Sequence, residues 1–162
     1  MRCLCVAVLS FVVAAAGAQQ GAGEGWKKTF IAAQADSLKA EYAKAGFTLV
    51  RAATVYMERN SALPVLVPLQ EQKEYQIVFI GDPTAALHQV RLLDGNAGEV
   101  AHQTRPPQAA PGNIVACAYR PQSTGWHTIK PSQDVTARDG GHGYLMLLKK
   151  AASAAGDIAD VR

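Results

Sequence analysis

The chain has 162 residues, 49% of them apolar and 18% charged, enough hydrophobic material for one folded domain and too much for a disordered segment. Its 16 Lys and Arg against 13 Asp and Glu give a formal charge of +3, with no basic stripe, which argues against a nucleic-acid partner.

Arg2 precedes an apolar run from Leu4 to Ala16, and Ala16-Gly17-Ala18 forms a small-x-small pattern before Gln19. This grammar is that of a cleaved export signal over residues 1–18, which predicts a secreted or periplasmic mature chain. The run is shorter than the ~20 apolar residues needed to cross a bilayer, and no longer one follows, so no transmembrane segment is expected in the mature chain. No Cys stands at a lipoprotein-type cleavage point. Cleavage would remove Cys3 and Cys5 and leave Cys117 as the only thiol, ruling out an intramolecular disulfide. Cys117 then reads either as a small buried hydrophobe or as the cross-link of a homodimer. Loss of Arg2 takes the basic residues from 16 to 15 against 13 acidic ones, a mature charge of about +2.

Gln19 to Gly25 reads as a flexible linker of small residues. A helix is predicted from about Gly25 to Ala45, with Trp26, Phe30, Ala33, Leu38, Tyr42 and Ala45 on its apolar stripe. Gly46 stands where a left-handed residue ends a helix. The period then changes to two. Phe47 to Glu58 alternates, with Phe47, Leu49, Val55 and Met57 on one face. Val65 to Leu69, flanked and interrupted by Pro64 and Pro68, reads as an edge strand. In the central stretch Tyr75, Ile77 and Phe79 share one face, and Gln76, Val78 and Ile80 the other. The Gly81-Asp82-Pro83 break, a strand from Leu87 to the Asp94-Gly95-Asn96 turn, and a short strand over Glu99 to Gln103 follow. Arg105 to Gly112 is a Pro-rich connector. Asn113 to Tyr119 is a strand whose Ala116 and Ala118 suggest close packing against a neighbour. Strands at Trp126–Ile129 and Tyr144–Leu148, separated by the Asp139-Gly140-Gly141-His142-Gly143 turn, close the sheet. Residues 151–162 read as a flexible tail. Short strands at regular spacing predict a mainly all-β fold, an antiparallel β-sandwich of about seven or eight strands with one N-terminal helix, in a single domain over residues 26–150.

Leu69 with Tyr75, Ile77 to Asp82, Leu92-Leu93-Asp94 with Gly98, Pro121 to His127 and Gly143 to Leu147 together carry a family resemblance. Over Trp26 to Lys149 the chain resembles the bacterial pre-peptidase C-terminal domain, and small secreted bacterial proteins with that sandwich behind an N-terminal helix. The resemblance implies a jelly-roll type sandwich and a non-catalytic accessory or binding role. Three positions depart from the family's pattern. Gln72 stands where a turn glycine is common, Leu87 and Gln89 replace alternating acidic residues, and cysteine pairs near the Asp82 and His142 loops are missing. The second departure removes carboxylates that a Ca²⁺ ion would need.

Candidate chemistry is sparse. The serines, histidines and aspartates sit in no nucleophile or metal-ligand spacing, so no catalytic residue, metal site or cofactor is assigned, and a secreted hydrolase or metal-binding protein using the His- and Asp-bearing loops is the alternative. As loop and strand positions open to a ligand, Asp82, Thr84, Trp126, His127, Asp139 and His142 are the candidates for binding an unidentified protein partner or cell-surface glycan. Core packing is the competing role for Trp126 and His127.

Overall fold

The computed structural model describes residues 16–58, 61–105, 112–135 and 140–151, with side chains from Gly25 onward. One helix, α1 (Ala16–Lys44), precedes eight strands. These are β1 (Phe47–Met57), β2 (Val65–Leu69), β3 (Tyr75–Ile80), β4 (Leu87–Leu93), β5 (Glu99–Arg105), β6 (Ile114–Tyr119), β7 (Gly125–Asp134) and β8 (Gly141–Lys150). They form two four-stranded antiparallel sheets of order β1-β8-β3-β6 and β2-β7-β4-β5. That order is the jelly roll, two interleaved Greek keys.

Period-two alternation fills the space between the sheets. Tyr75, Ile77 and Phe79 of β3, Val115 and Cys117 of β6, and Leu145 and Leu147 of β8 meet Val67, Val90, Leu92 and Ile129 from the opposite sheet. Burial raises the Cys117 thiol above its ordinary range, as expected for the small hydrophobe rather than a reactive thiolate. The two central strands of the first sheet are buried on both faces. Val78, Ile80, Met146 and Leu148 point away from the sandwich core and pack with Phe47 and Ile114 against Ile31 and Ala35 of α1. The molecule therefore has three layers: helix, first sheet, second sheet.

Several expectations are corrected. Residues 19–25 are helical rather than a linker, continuing α1 despite three glycines of poor helix propensity. The buried face of α1 runs through Ile31, Ala35, Leu38 and Tyr42, while Trp26 and Phe30 are 49% and 42% exposed and pack on each other. The expected stripe followed the largest side chains; the observed one follows the i, i+4, i+7 positions that face the sheet. In β1 a bulge at Val50 shifts the register between Leu49 and Arg51, so Phe47 faces the helix while Val55 and Met57 face the core. Ala116 and Ala118 are exposed rather than closely packed. Strand β7 continues past Pro131, because that residue's missing amide lies on the side where β2 has already ended. His142 lies within β8, not in the turn before it.

Turn geometry follows the expected chemistry. Gly46 takes a φ of 80° directly after the helix, and its amide donates to the Ala43 carbonyl at 3.0 Å. Gln72, where the resemblance anticipates glycine, is left-handed with a φ of 57°. A side chain pays roughly 1–2 kcal/mol for that conformation, against ~0.4–1 kcal/mol of extra unfolded-state entropy brought in by glycine. Gln72→Gly is therefore expected to raise the melting temperature by about 2–4 °C, a net gain of ~0.5–1 kcal/mol; a lowered midpoint in a thermal melt would contradict this.

Candidate functional site

Each sheet has one outward face, and the helix covers only that of β1-β8-β3-β6. Strand alternation sends His127, Ile129, Pro131 and Gln133 of β7 inward, and Trp126, Thr128, Lys130 and Ser132 outward. On β4, Gln89, Arg91 and Leu93 point outward beside them, paired in register with Ser132, Lys130 and Thr128. On β5, His102 and Thr104 stand opposite Arg91 and Gln89. Leu66 and Pro68 of β2 complete the face, Pro68 directly opposite Trp126. No described element lies over it.

Trp126 is 58% exposed. That decides between its two expected roles against core packing: its indole is free to receive a flat ligand face. From Trp126 to Ser132 the surface runs six residues along β7, roughly 20 Å at strand rise. The side chains beyond Trp126 form a hydrogen-bonded lattice. The Ser132 hydroxyl donates to Gln89 Oε1 at 3.2 Å, and Gln89 Nε2 donates to His102 Nε2 at 2.8 Å and to Thr104 Oγ1 at 3.4 Å. Thr104 Oγ1 also lies 2.8 Å from His102 Nε2, Arg91 Nε donates to Glu99 Oε2 at 2.5 Å, and His102 Nδ1 is 3.5 Å from Glu99 Oε1. The result is a donor-and-acceptor-rich platform with one aromatic at its end.

The other sequence candidates lie elsewhere. His127 is buried on the opposite side of β7 from Trp126, its Nδ1 donating to the Gly125 carbonyl at 3.1 Å and its ring 5.6 Å edge-on to Tyr119. It is a packed ring. Asp82 and His142 gather at the far end of β7, bridged by Gln133, whose Oε1 accepts from the Asp82 amide at 2.7 Å and whose Nε2 donates to the His142 carbonyl at 3.3 Å. Asp82 is 2% exposed, and its carboxylate accepts from the Thr84 hydroxyl (2.6 Å), the Thr84 amide (2.8 Å) and Lys27 Nζ (3.0 Å). Burial would raise its pKa, yet those donors outweigh burial and hold the carboxyl below its usual range. Thr84 also accepts from Lys27, so this loop is a clamp on the helix. A second tie joins Gln34 of α1 and Asn113 in a reciprocal amide pair at 3.1 and 2.7 Å. His142 lies against the Tyr56 ring at 5.0 Å, and Asp139 falls outside the described residues.

The residues that sequence reasoning missed are Gln89, Arg91, His102, Thr104, Lys130 and Ser132. Their signal was the outward parity of β4, β5 and β7; which outward face stays uncovered is decided only by where α1 lies. Among the described residues no group of three His, Cys, Asp or Glu side chains could hold a metal ion, and no helix is long and apolar enough to cross a membrane.

No protein-family model matches the sequence, and no curated protein matches it. Among solved structures the chain is similar to an arabinose-bound α-L-arabinofuranosidase, at 8% identity and a TM-score of 0.36, over 67% of this chain and 24% of that one. It is also similar to the CBM22-1 and GH10 modules of the Clostridium thermocellum endo-1,4-beta-D-xylanase 10B complexed with xylohexaose, at 11% identity, a TM-score of 0.32, and 67% and 26% coverage. A third is the C-terminal family 22 carbohydrate binding module of that xylanase, at 13% identity and a TM-score of 0.32, over 67% of this chain and 86% of the module. The chain thus spans about a quarter of the first two. At these scores the fold assignment rests on the strand order itself.

Proposed function

We propose that the protein is an exported, non-catalytic binding module whose open β2-β7-β4-β5 face takes a glycan. The observation that carries this is Trp126, 58% exposed at the end of a lattice of Gln89, His102, Thr104 and Ser132. Sugar rings offer an apolar C–H face to an indole and a rim of hydroxyls to amide, hydroxyl and imidazole groups. A protein partner would favour a dry apolar centre instead; the middle of this face is Gln89, Arg91 and Lys130, and the apolar side chains Leu66, Pro68 and Leu93 lie at the Trp126 end. The resemblance to pre-peptidase C-terminal domains agrees with an accessory role, and the apolar run before Gln19 with export.

Trp126→Ala tests the reading. The side chain is mostly in water, so the thermal midpoint is expected to stay within about 2 °C of the parent, a surface-type effect of ~0.5 kcal/mol or less. Retardation in polysaccharide-containing native gels is expected to fall at least about tenfold in affinity, ~1.4 kcal/mol. Unchanged retardation on every polysaccharide the parent binds would defeat the proposal.

A further inference from the structure

At the centre of the platform two cations stand side by side on adjacent strands, with a histidine on the strand beyond. Lys130 of β7 is the register partner of Arg91 of β4, and Arg91 is in turn the partner of His102 of β5. Like charges directly opposite each other weaken a sheet, so the arrangement has a cost in the free protein. One acid answers them: Glu99 receives Arg91 Nε and lies 3.5 Å from His102 Nδ1. The Lys130 side chain has no ion-pair or hydrogen-bond partner among the described residues. Asp134, the one acid of β7, also points outward but stands four residues further along, roughly 13 Å at strand rise. In the other direction Trp126 is also four residues from Lys130, so the indole and the two cations sit about 13 Å apart on one outward face.

Resting on the glycan reading above, we infer that the ligand is an acidic polysaccharide carrying carboxylates on its sugar rings. A chain laid along β7 stacks one ring on Trp126 and brings a carboxylate further along to the Lys130–Arg91 pair. That anion relieves the cross-strand repulsion as it binds, and the guanidinium offers it a planar fork of donors. A neutral glycan would leave Lys130 unanswered.

The test measures binding of the full-length protein to polygalacturonate, to the same polymer with its carboxyls methyl-esterified, and to a neutral β-glucan. The free acid is expected to bind at least about tenfold more tightly than its ester, with the difference shrinking as salt rises from 50 to 500 mM, as screening requires. Lys130→Gln is expected to weaken the acid about fivefold and leave the ester unchanged, with an unaltered melt as the folding control. Trp126→Ala weakens both. If acid and ester bind alike and Lys130→Gln changes neither, the acidic ligand is wrong while glycan binding stands. If none of the three polymers binds, both the inference and the reading beneath it fall.

Discussion

Deleting all residues through Gly46 is expected to leave a sandwich that cannot persist as a stable monomer. The helix covers Phe47, Val78, Ile80, Ile114, Met146 and Leu148, and without it all six meet water. Burying one large apolar side chain contributes ~1.5–3 kcal/mol, so six approach or exceed the whole ~5–15 kcal/mol net stability of a domain, even after discounting for a compact unfolded chain. Polar ties add to this apolar seam. Lys27 reaches the Asp82 carboxylate, Gln34 the Asn113 amide, and Lys150 Nζ donates to the Ala45 carbonyl at 2.8 Å at the helix end. The cationic ends of Lys39 and Lys150 lie 4.9 and 4.5 Å over the rings of Tyr144 and Phe47. Chemical denaturation of the truncated chain is expected to show no cooperative transition, with dye-binding apolar surface and aggregation. A truncated protein melting at the parent temperature would make the helix a detachable element.

Asp82→Asn is expected to cost about 2–4 kcal/mol, because an amide turned toward Lys27 removes the charge from a largely buried pair while leaving the Lys27 side chain only 18% exposed. The same corner makes stability pH-dependent. His88 is 1% exposed, with Nε2 donating to the Asp82 carbonyl at 2.9 Å and Nδ1 without a hydrogen-bond partner among the described residues. Its ring is wedged against Gly81, where an added methyl would run into the imidazole and the Gln133 amide. Burial lowers the His88 pKa below the ordinary 6.5, outweighing the opposing pull of Asp82 and of the Gly112 backbone nearby. The unfolded chain therefore takes up the proton first, and His88's contribution is complete above about pH 6.5 and shrinks as pH falls below it. Asp82, also depressed, acts in the same direction further down: its contribution is whole above the ordinary 3.8 and is lost as pH falls through the folded value. Thermal midpoints measured from pH 8 to pH 3 should decline in those two stages. A flat profile between pH 7 and pH 5 would contradict the role of His88, and an Asp82→Asn variant should lose the lower stage while keeping the upper one.

What the amino-acid sequence determined by itself was local. Alternation placed Tyr75, Ile77 and Phe79 on one face of β3 and Val78 and Ile80 on the other, because side chains in a strand alternate whatever the fold. Pro64 and Pro68 marked β2 as an edge, and Gly46 ended the helix, since both effects act within a few residues. The number of strands and the sandwich class followed from spacing. Facts that need a partner came only with the tertiary structure. The bulge at Val50 turned Phe47 to the helix and Val55 to the core, and nothing in a period-two pattern announces an extra residue. Trp26 and Phe30 carry more apolar surface than Ile31 and Ala35, yet the helix buries the latter, because docking geometry chooses the face and not residue size. Trp126 and His127 are neighbours with equal claims in the sequence, but one strand sends them to opposite sides, the first into solvent and the second into the core. Whether solvent or a helix waits on the outer side is settled by which sheet α1 covers, and that seam joins Ile31 and Ala35 to Val78, Ile80, Ile114 and Met146, more than forty positions further along the chain.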